Sequence, residues 1–254
     1  MGIGGVKAMM VINFIRSVVF TLLFWINTLS LMLFAVVGKI FHLENAVRKF
    51  SKNWARLNIL MLKYICGIKY RVIGVENIPH DVCLIVAKHQ STWETYFLFQ
   101  YFEKYLVFIL KRELLMIPGL GSALESVGCI SINRKDGINA IKKMSKQAKE
   151  FIEKEKRNLL IFPQGTRVPL NSNTDDYPYK SGFTVIAKEN KLDMLPISLN
   201  SAKCWPKFHF IKKPGTITIK IAPLIKYENY KDLNKNDVVK LVENVIENNQ
   251  KTLD

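Results

Sequence analysis

The sequence predicts an α/β fold: a mixed, largely parallel sheet flanked by helices, preceded by an N-terminal membrane-associated helical segment. Three observations lead there. A charge-free apolar run of twenty-one residues, Ser17 to Val37, lies between Arg16 and Lys39. From Tyr70 onward, short β-branched runs alternate with stretches of helical periodicity. The chain has 254 residues, 49% of them hydrophobic and 23% charged, enough apolar content for a sizeable core. That composition excludes disorder, and 13 Gly with 9 Pro exclude a fibrous protein. The change of pattern divides the chain into membrane-anchoring helices over 1–66 and an α/β domain over 67–254.

The elements follow in order. At 1.5 Å per residue the run 17–37 can cross a hydrocarbon core of ~30 Å, and it can equally lie in one leaflet. Asn27, Thr28 and Ser30 soften its middle. A signal peptide is disfavoured by the length of the run and the lack of a small-residue cleavage site, and a buried core helix is the remaining alternative. Residues 44–65 form a second helix, with Leu57, Ile59, Leu60, Met61 and Leu62 among Arg48, Lys49, Lys52, Arg56 and Lys63. A basic amphipathic helix beside an apolar one suits anchoring on anionic lipid, although it also suits packing on a soluble domain. Buried strands are expected at 82–87, 106–110, 129–133, 159–162 and 194–199. An alternating, half-exposed strand is expected at 216–221. Helices are expected at 92–102, 181–190 and 236–249. One more over 137–156 places Ile138, Ile141, Met144, Ala148, Phe151 and Ile152 at steps of three and four. Residues 169–179 read as a polar loop.

Charge and cysteines bound the function. Lys and Arg number 37 against 21 acidic residues, a net charge of +16. Such an excess points to nucleic acid, a phospholipid surface or a phosphorylated substrate. No nucleic-acid recognition motif is present, and the cations scatter without interleaved aromatics. A mean hydropathy of +0.08 in so charged a chain means that its apolar residues are concentrated. Cys66, Cys83, Cys129 and Cys204 are widely spaced, which disfavours both a zinc site and a disulfide framework. Cys83 and Cys129 read as core thiols in a reducing compartment.

In open α/β sheets, active groups gather where strands end and helices begin. After the strand at 82–87 come His89 and, five residues on, Glu94. A turn there can return the carboxylate to the imidazole and make a general base. The same spacing also fits a His at a helix start. Lys111, Arg134, Arg167 and Lys180 deliver cations at four other junctions, a pattern suited to a phosphate-bearing substrate. Gly165 and Thr166 offer backbone N–H groups as an oxyanion site, or form a simple turn.

Taken together and in this order, these residues resemble the glycerolipid acyltransferase family, specifically the 1-acylglycerol-3-phosphate acyltransferases. His89 and Glu94 match the family's His-x4-Asp motif, with Glu in the Asp position. Gly128 to Arg134 matches a second motif that ends in Arg. Phe162 to Arg167 matches Phe-Pro-Glu-Gly-Thr-Arg, with Gln164 for Glu, and Pro196-Ile197 matches a fourth. Lys111 to Gly119 and Lys180-Ser181-Gly182 are also similar, so that the likeness spans about 70–224.

The resemblance implies transfer of a fatty acyl group from acyl-CoA or acyl-carrier protein to the sn-2 hydroxyl of 1-acylglycerol-3-phosphate. The product is phosphatidic acid, made at the cytoplasmic face of a bacterial inner membrane. His89 is then the base and Glu94 its orienting partner. Lys111, Arg134 and Arg167 take the acceptor phosphate, and Gly165 and Thr166 face the oxyanion. No cofactor and no metal are implied. The partners are a lysophospholipid, the thioester donor and an anionic membrane surface, without nucleic acid. Glu94 keeps the carboxylate, whereas Gln164 keeps length and hydrogen bonding but loses charge. A different lysolipid acceptor, such as lyso-ornithine lipid, is the alternative within the class. Outside it stand a membrane-tethered anion- or nucleic-acid-binding protein and an inactive relative.

Overall fold

The computed structural model describes residues 3–102, 105–132, 137–172 and 174–253. Two long helices come first, α1 (Ile3–Ile40) and α2 (Glu44–Tyr64). They are followed by β1 (Ile68–Ile73), β2 (Cys83–Ala87), α3 (Trp93–Tyr101), β3 (Val107–Lys111), α4 (Leu120–Val127) and β4 (Cys129–Ile132). The chain continues through α5 (Gly137–Glu153), β5 (Leu159–Ile161), α6 (Gly182–Glu189), β6 (Asp193–Leu199), β7 (Gly215–Ile221) and α7 (Lys235–Gln250).

The strands form one seven-stranded sheet in the order β1-β7-β6-β2-β5-β3-β4. All neighbours are parallel except β6 and β7. The expected mixed, largely parallel sheet is therefore present. Side chains of β2 alternate between two cores: Cys83, Ile85 and Ala87 face one, Leu84 and Val86 the other. That is why Val82–Ala87 reads as a continuous apolar run, since parallel strands are covered on both faces. Phe20 of α1, Ala55, Ile59 and Leu62 of α2, and Phe97 of α3 fill the first core. Met144 and Ala148 of α5, Phe183 and Ile186 of α6, and Val238, Val242 and Ile246 of α7 fill the second. The N-terminal helices thus share a core with the sheet.

Two elements went unassigned in the sequence, β1 and α4. The strand at 216–221 alternates as expected, with Ile217, Ile219 and Ile221 buried and Thr216 exposed, except that Thr218 is buried too, its amide held by Asn200 Oδ1 at 2.8 Å. Cys129 is also less buried than expected, being intermediate where Cys66, Cys83 and Cys204 are buried.

Helix α1 runs well beyond the apolar segment read from the sequence. Asn13, Ser17, Phe20, Thr28, Leu31 and Ala35 form a buried stripe at helical spacing along it. The stripe is pinned by specific bonds. Ser17 accepts from the Lys212 amide at 2.8 Å, and Trp54 Nε1 donates to Thr28 at 3.2 Å. Near the hairpin the two helices touch closely: a Cβ on Gly38 would lie 2.3 Å from Val47 Cγ2, so nothing larger than Gly fits. The rest of α1 exposes large apolar side chains, including Leu22, Trp25, Ile26, Leu29 and Leu33. By length and composition the helix is able to cross a membrane.

Candidate active site

The site begins with a change of face. After β2 the chain passes to the side of α3, whereas after β5 it passes to the side of α6. β2 and β5 are neighbours, so their outgoing loops part over one crevice at the carboxyl ends of the strands. The β2 loop carries His89 and the β5 loop carries residues 162–168.

The two loops are stitched together. The Val168 amide donates to His89 O at 2.7 Å, and the His89 amide donates to Gln164 Oε1 at 3.4 Å. Arg167 Nη1 donates to Thr92 Oγ1 at 2.7 Å. Phe162 stacks on the His89 ring, with centroids 4.0 Å apart and planes 16° from parallel. The imidazole is thereby fixed in plane as well as in position.

Glu94 sits in the first turn of α3 and is fully buried. Its Oε1 accepts the amides of Gln90 and Ser91, each at 2.6 Å, and lies 2.9 Å from His89 Nδ1. Ser201, just after β6, donates its hydroxyl to Oε2 at 2.7 Å. Backbone amides can only donate, so the carboxylate is an acceptor ringed by donors. That network assigns the proton of neutral His89 to Nδ1 and leaves Nε2 as the free basic nitrogen. The His89 side chain is 19% exposed, which leaves the imidazole within reach of a substrate hydroxyl.

The other expected residues fall as follows. Arg167 lies beside the dyad and is half-buried. Lys111 ends β3, the strand beyond β5, so its backbone lies at the same edge of the sheet. Arg134 lies outside the described residues. Thr166 is in the loop, where its hydroxyl accepts from Lys207 Nζ at 2.9 Å. Gly165 is the correction: its amide, expected to face an oxyanion, closes a turn onto Phe162 O at 3.0 Å. Its φ of +68° lies in the left-handed region, which glycine adopts without strain. The sequence reading missed the parts of Phe162, Ser201 and Lys207. Phe162 was visible as the first residue of its motif, whereas the other two arrive from the distant β6–β7 connection.

Known proteins resemble this chain over the same residues. The family model described as Acyltransferase matches residues 69–200, which hold both stitched loops. The chain belongs to the acyltransferase family. It is 39% identical over 225 residues to the 1-acyl-sn-glycerol-3-phosphate acyltransferase of Pseudomonas aeruginosa, covering 87% of this chain and 84% of that one. The Homo sapiens 1-acyl-sn-glycerol-3-phosphate acyltransferase alpha is 30% identical over 194 residues, covering 75% and 65%. The Saccharomyces cerevisiae enzyme of the same description is 29% identical over 177 residues, covering 69% and 57%. The crystal structure of the 1-acyl-sn-glycerophosphate acyltransferase PlsC from Thermotoga maritima has the same fold. It superposes with a TM-score of 0.74 at 21% identity, over 94% of this chain and 97% of that one.

The acyltransferase holds its dyad with one further device. Lys88, the residue before His89, has a side chain only 2% exposed, paired with Glu247 of α7 at 2.5 Å. Tyr179 donates to the other Glu247 oxygen at 2.8 Å. The C-terminal helix is thereby bonded to the strand end that carries the base.

Proposed function

We propose that this acyltransferase moves a fatty acyl group from a thioester donor to the sn-2 hydroxyl of 1-acylglycerol-3-phosphate, forming phosphatidic acid. The observation that carries the reading is the buried Glu94 carboxylate 2.9 Å from His89 Nδ1, with Arg167 bonded to the same loop. The names of the relatives supply the acceptor.

In this reaction His89 Nε2 takes the proton of the acceptor hydroxyl as its oxygen attacks the thioester carbonyl. Glu94 stabilises the imidazolium that forms. The C–S bond breaks, the sulfur leaves, and the imidazolium returns the proton to it as a thiol. No acyl-enzyme is required. Arg167, with Lys111 and Arg134, receives the acceptor phosphate. The donor is acyl-CoA or an acyl-carrier protein, and the site works at the cytoplasmic face of a bacterial inner membrane.

The buried stripe of α1 favours a helix lying along the domain with its apolar face in one leaflet, and α2 adds cations for anionic lipid. Such a placement brings a lipid acceptor to the site without leaving the interface.

The test is release of free thiol from acyl-CoA, and separately from acyl-carrier protein, when lysophosphatidate is added. His89→Ala should lower kcat by ~10²–10⁴-fold, the range of general-base catalysis. Near-normal turnover by a folded His89→Ala protein would overturn the mechanism.

A further inference from the structure

The connection between β6 and β7 contributes a cation that no sequence motif contains. Lys207 Nζ donates to Thr166 Oγ1 at 2.9 Å and stands 4.8 Å from the ring centre of Phe208. Arg167 Cζ stands 6.0 Å from the same ring. Two cations therefore lie within about 6 Å of one aromatic ring, beside the loop that holds the base. Among the described residues neither has a carboxylate partner. Each keeps donors in reserve, because an ammonium has three N–H groups and a guanidinium five, while one of each is used on a threonine hydroxyl. Two cations without a carboxylate partner at one loop favour the binding of an anion there.

The same loop exposes an aromatic side chain and touches the apolar helix α1. Phe208 is 87% exposed, and Phe210 meets Phe14 of α1 with ring centres 5.8 Å apart. Lys212 fixes the loop on α1. Its amide donates to Ser17, and its ammonium donates to Thr21 at 3.3 Å among the rings of Phe20, Trp205 and Phe210. A row of aromatic side chains thus runs from the apolar helix to the paired cations.

We propose that Lys207 is a further cation of the acceptor-phosphate subsite, acting with Arg167 on the phosphate monoester of a lysolipid that arrives along the α1 side. The proposal rests on the acceptor assigned under Proposed function. A phosphate monoester carries close to two negative charges, and two cations of different geometry, a fork and a point charge, suit its oxygens.

The experiment measures acceptor and donor KM, and kcat, for full-length Lys207→Gln and Lys207→Arg. Binding of sn-glycerol 3-phosphate is measured separately by calorimetry. Lys207→Gln should raise the acceptor KM ~10–100-fold, the worth of a hydrogen bond to a charged group, and more than it changes kcat. Lys207→Arg should recover most of the loss. Glycerol 3-phosphate should bind Lys207→Gln at least tenfold more weakly, with thermal unfolding unaltered. An unchanged acceptor KM, a loss in kcat alone, or a rise confined to the donor KM would overturn the proposal. A wild-type protein that binds glycerol 3-phosphate through Lys207 yet does not acylate lysophosphatidate would sink the proposed function and leave the anion site standing.

Discussion

Replacing Glu94 by Gln separates the charge of the dyad from its shape. The amide oxygen can occupy the place of Oε1 and keep the three contacts with His89, Gln90 and Ser91. The amide NH₂ then meets the Ser201 hydroxyl, which can turn to accept instead of donate. What disappears is the negative charge opposite the imidazolium of the transition state. With Nδ1 and Oε1 2.9 Å apart, the charge centres lie about 4 Å apart, worth about 4 kcal/mol at an effective dielectric constant of about 20. A rate loss of ~10²–10³-fold follows. Glu94→Asp keeps the charge but withdraws the carboxylate by about 1.5 Å, the length of one C–C bond. Loosening one or two of its bonds costs ~10-fold. The assay is thiol release from acyl-CoA at saturating lysophosphatidate, with thermal unfolding as the control for folding. Equal turnover by the two variants would show that Glu94 supplies orientation alone, and the charge argument would fail.

Three further perturbations probe the frame around the dyad. Glu247→Ala leaves the buried Lys88 ammonium unpaired, at about 3–5 kcal/mol, and should lower Tm by roughly 6–20 °C; adding Lys88→Met should recover most of that in thermal unfolding, and no recovery would refute the pairing. Burial pushes the thiols of Cys66, Cys129 and Cys204 up to about 11, so at pH 8 only about one in a thousand is thiolate. Intact-mass analysis after brief iodoacetamide treatment should find them unmodified, with labelling that rises about tenfold per pH unit toward pH 11; fast labelling at pH 8 would contradict the burial. Changing Leu22, Ile26, Leu29 and Leu33 together to Ser alters only exposed positions of α1 and should weaken flotation with neutral vesicles, since each buried apolar side chain is worth about 1.5–3 kcal/mol; unchanged flotation would place the anchor elsewhere.

The parts of the fold legible in the sequence are those covered on both faces. Cys83–Ala87 and Leu159–Ile161 are buried throughout, so their apolar runs stand out whatever lies beside them. Strand β1 stayed hidden because Lys69, Tyr70 and Arg71 are exposed at the sheet's edge, which leaves it without an apolar run. Helix α4 has eight residues between two glycines, too short to show a period. In β7 the alternation is legible in its Thr and Ile residues, and only the burial of Thr218, whose amide is held by Asn200, escapes it.

The site divides along the same line between local and distant contacts. His89 and Glu94 are legible because their spacing is a local property: a strand end, a tight turn and the first turn of a helix suffice to join them. Ser201 closes the same carboxylate from 107 residues away, and nothing in its neighbourhood marks it. Gln164 is the instructive residue. As a departure from the motif's Glu it raises doubt about acceptor contacts, but its side chain is buried and its oxygen accepts the His89 amide. At that contact an amide oxygen serves as a carboxylate oxygen would, with a smaller cost of burial. Gln164 thus serves the loop that carries the base, and its neutrality adds no negative charge beside the proposed phosphate subsite.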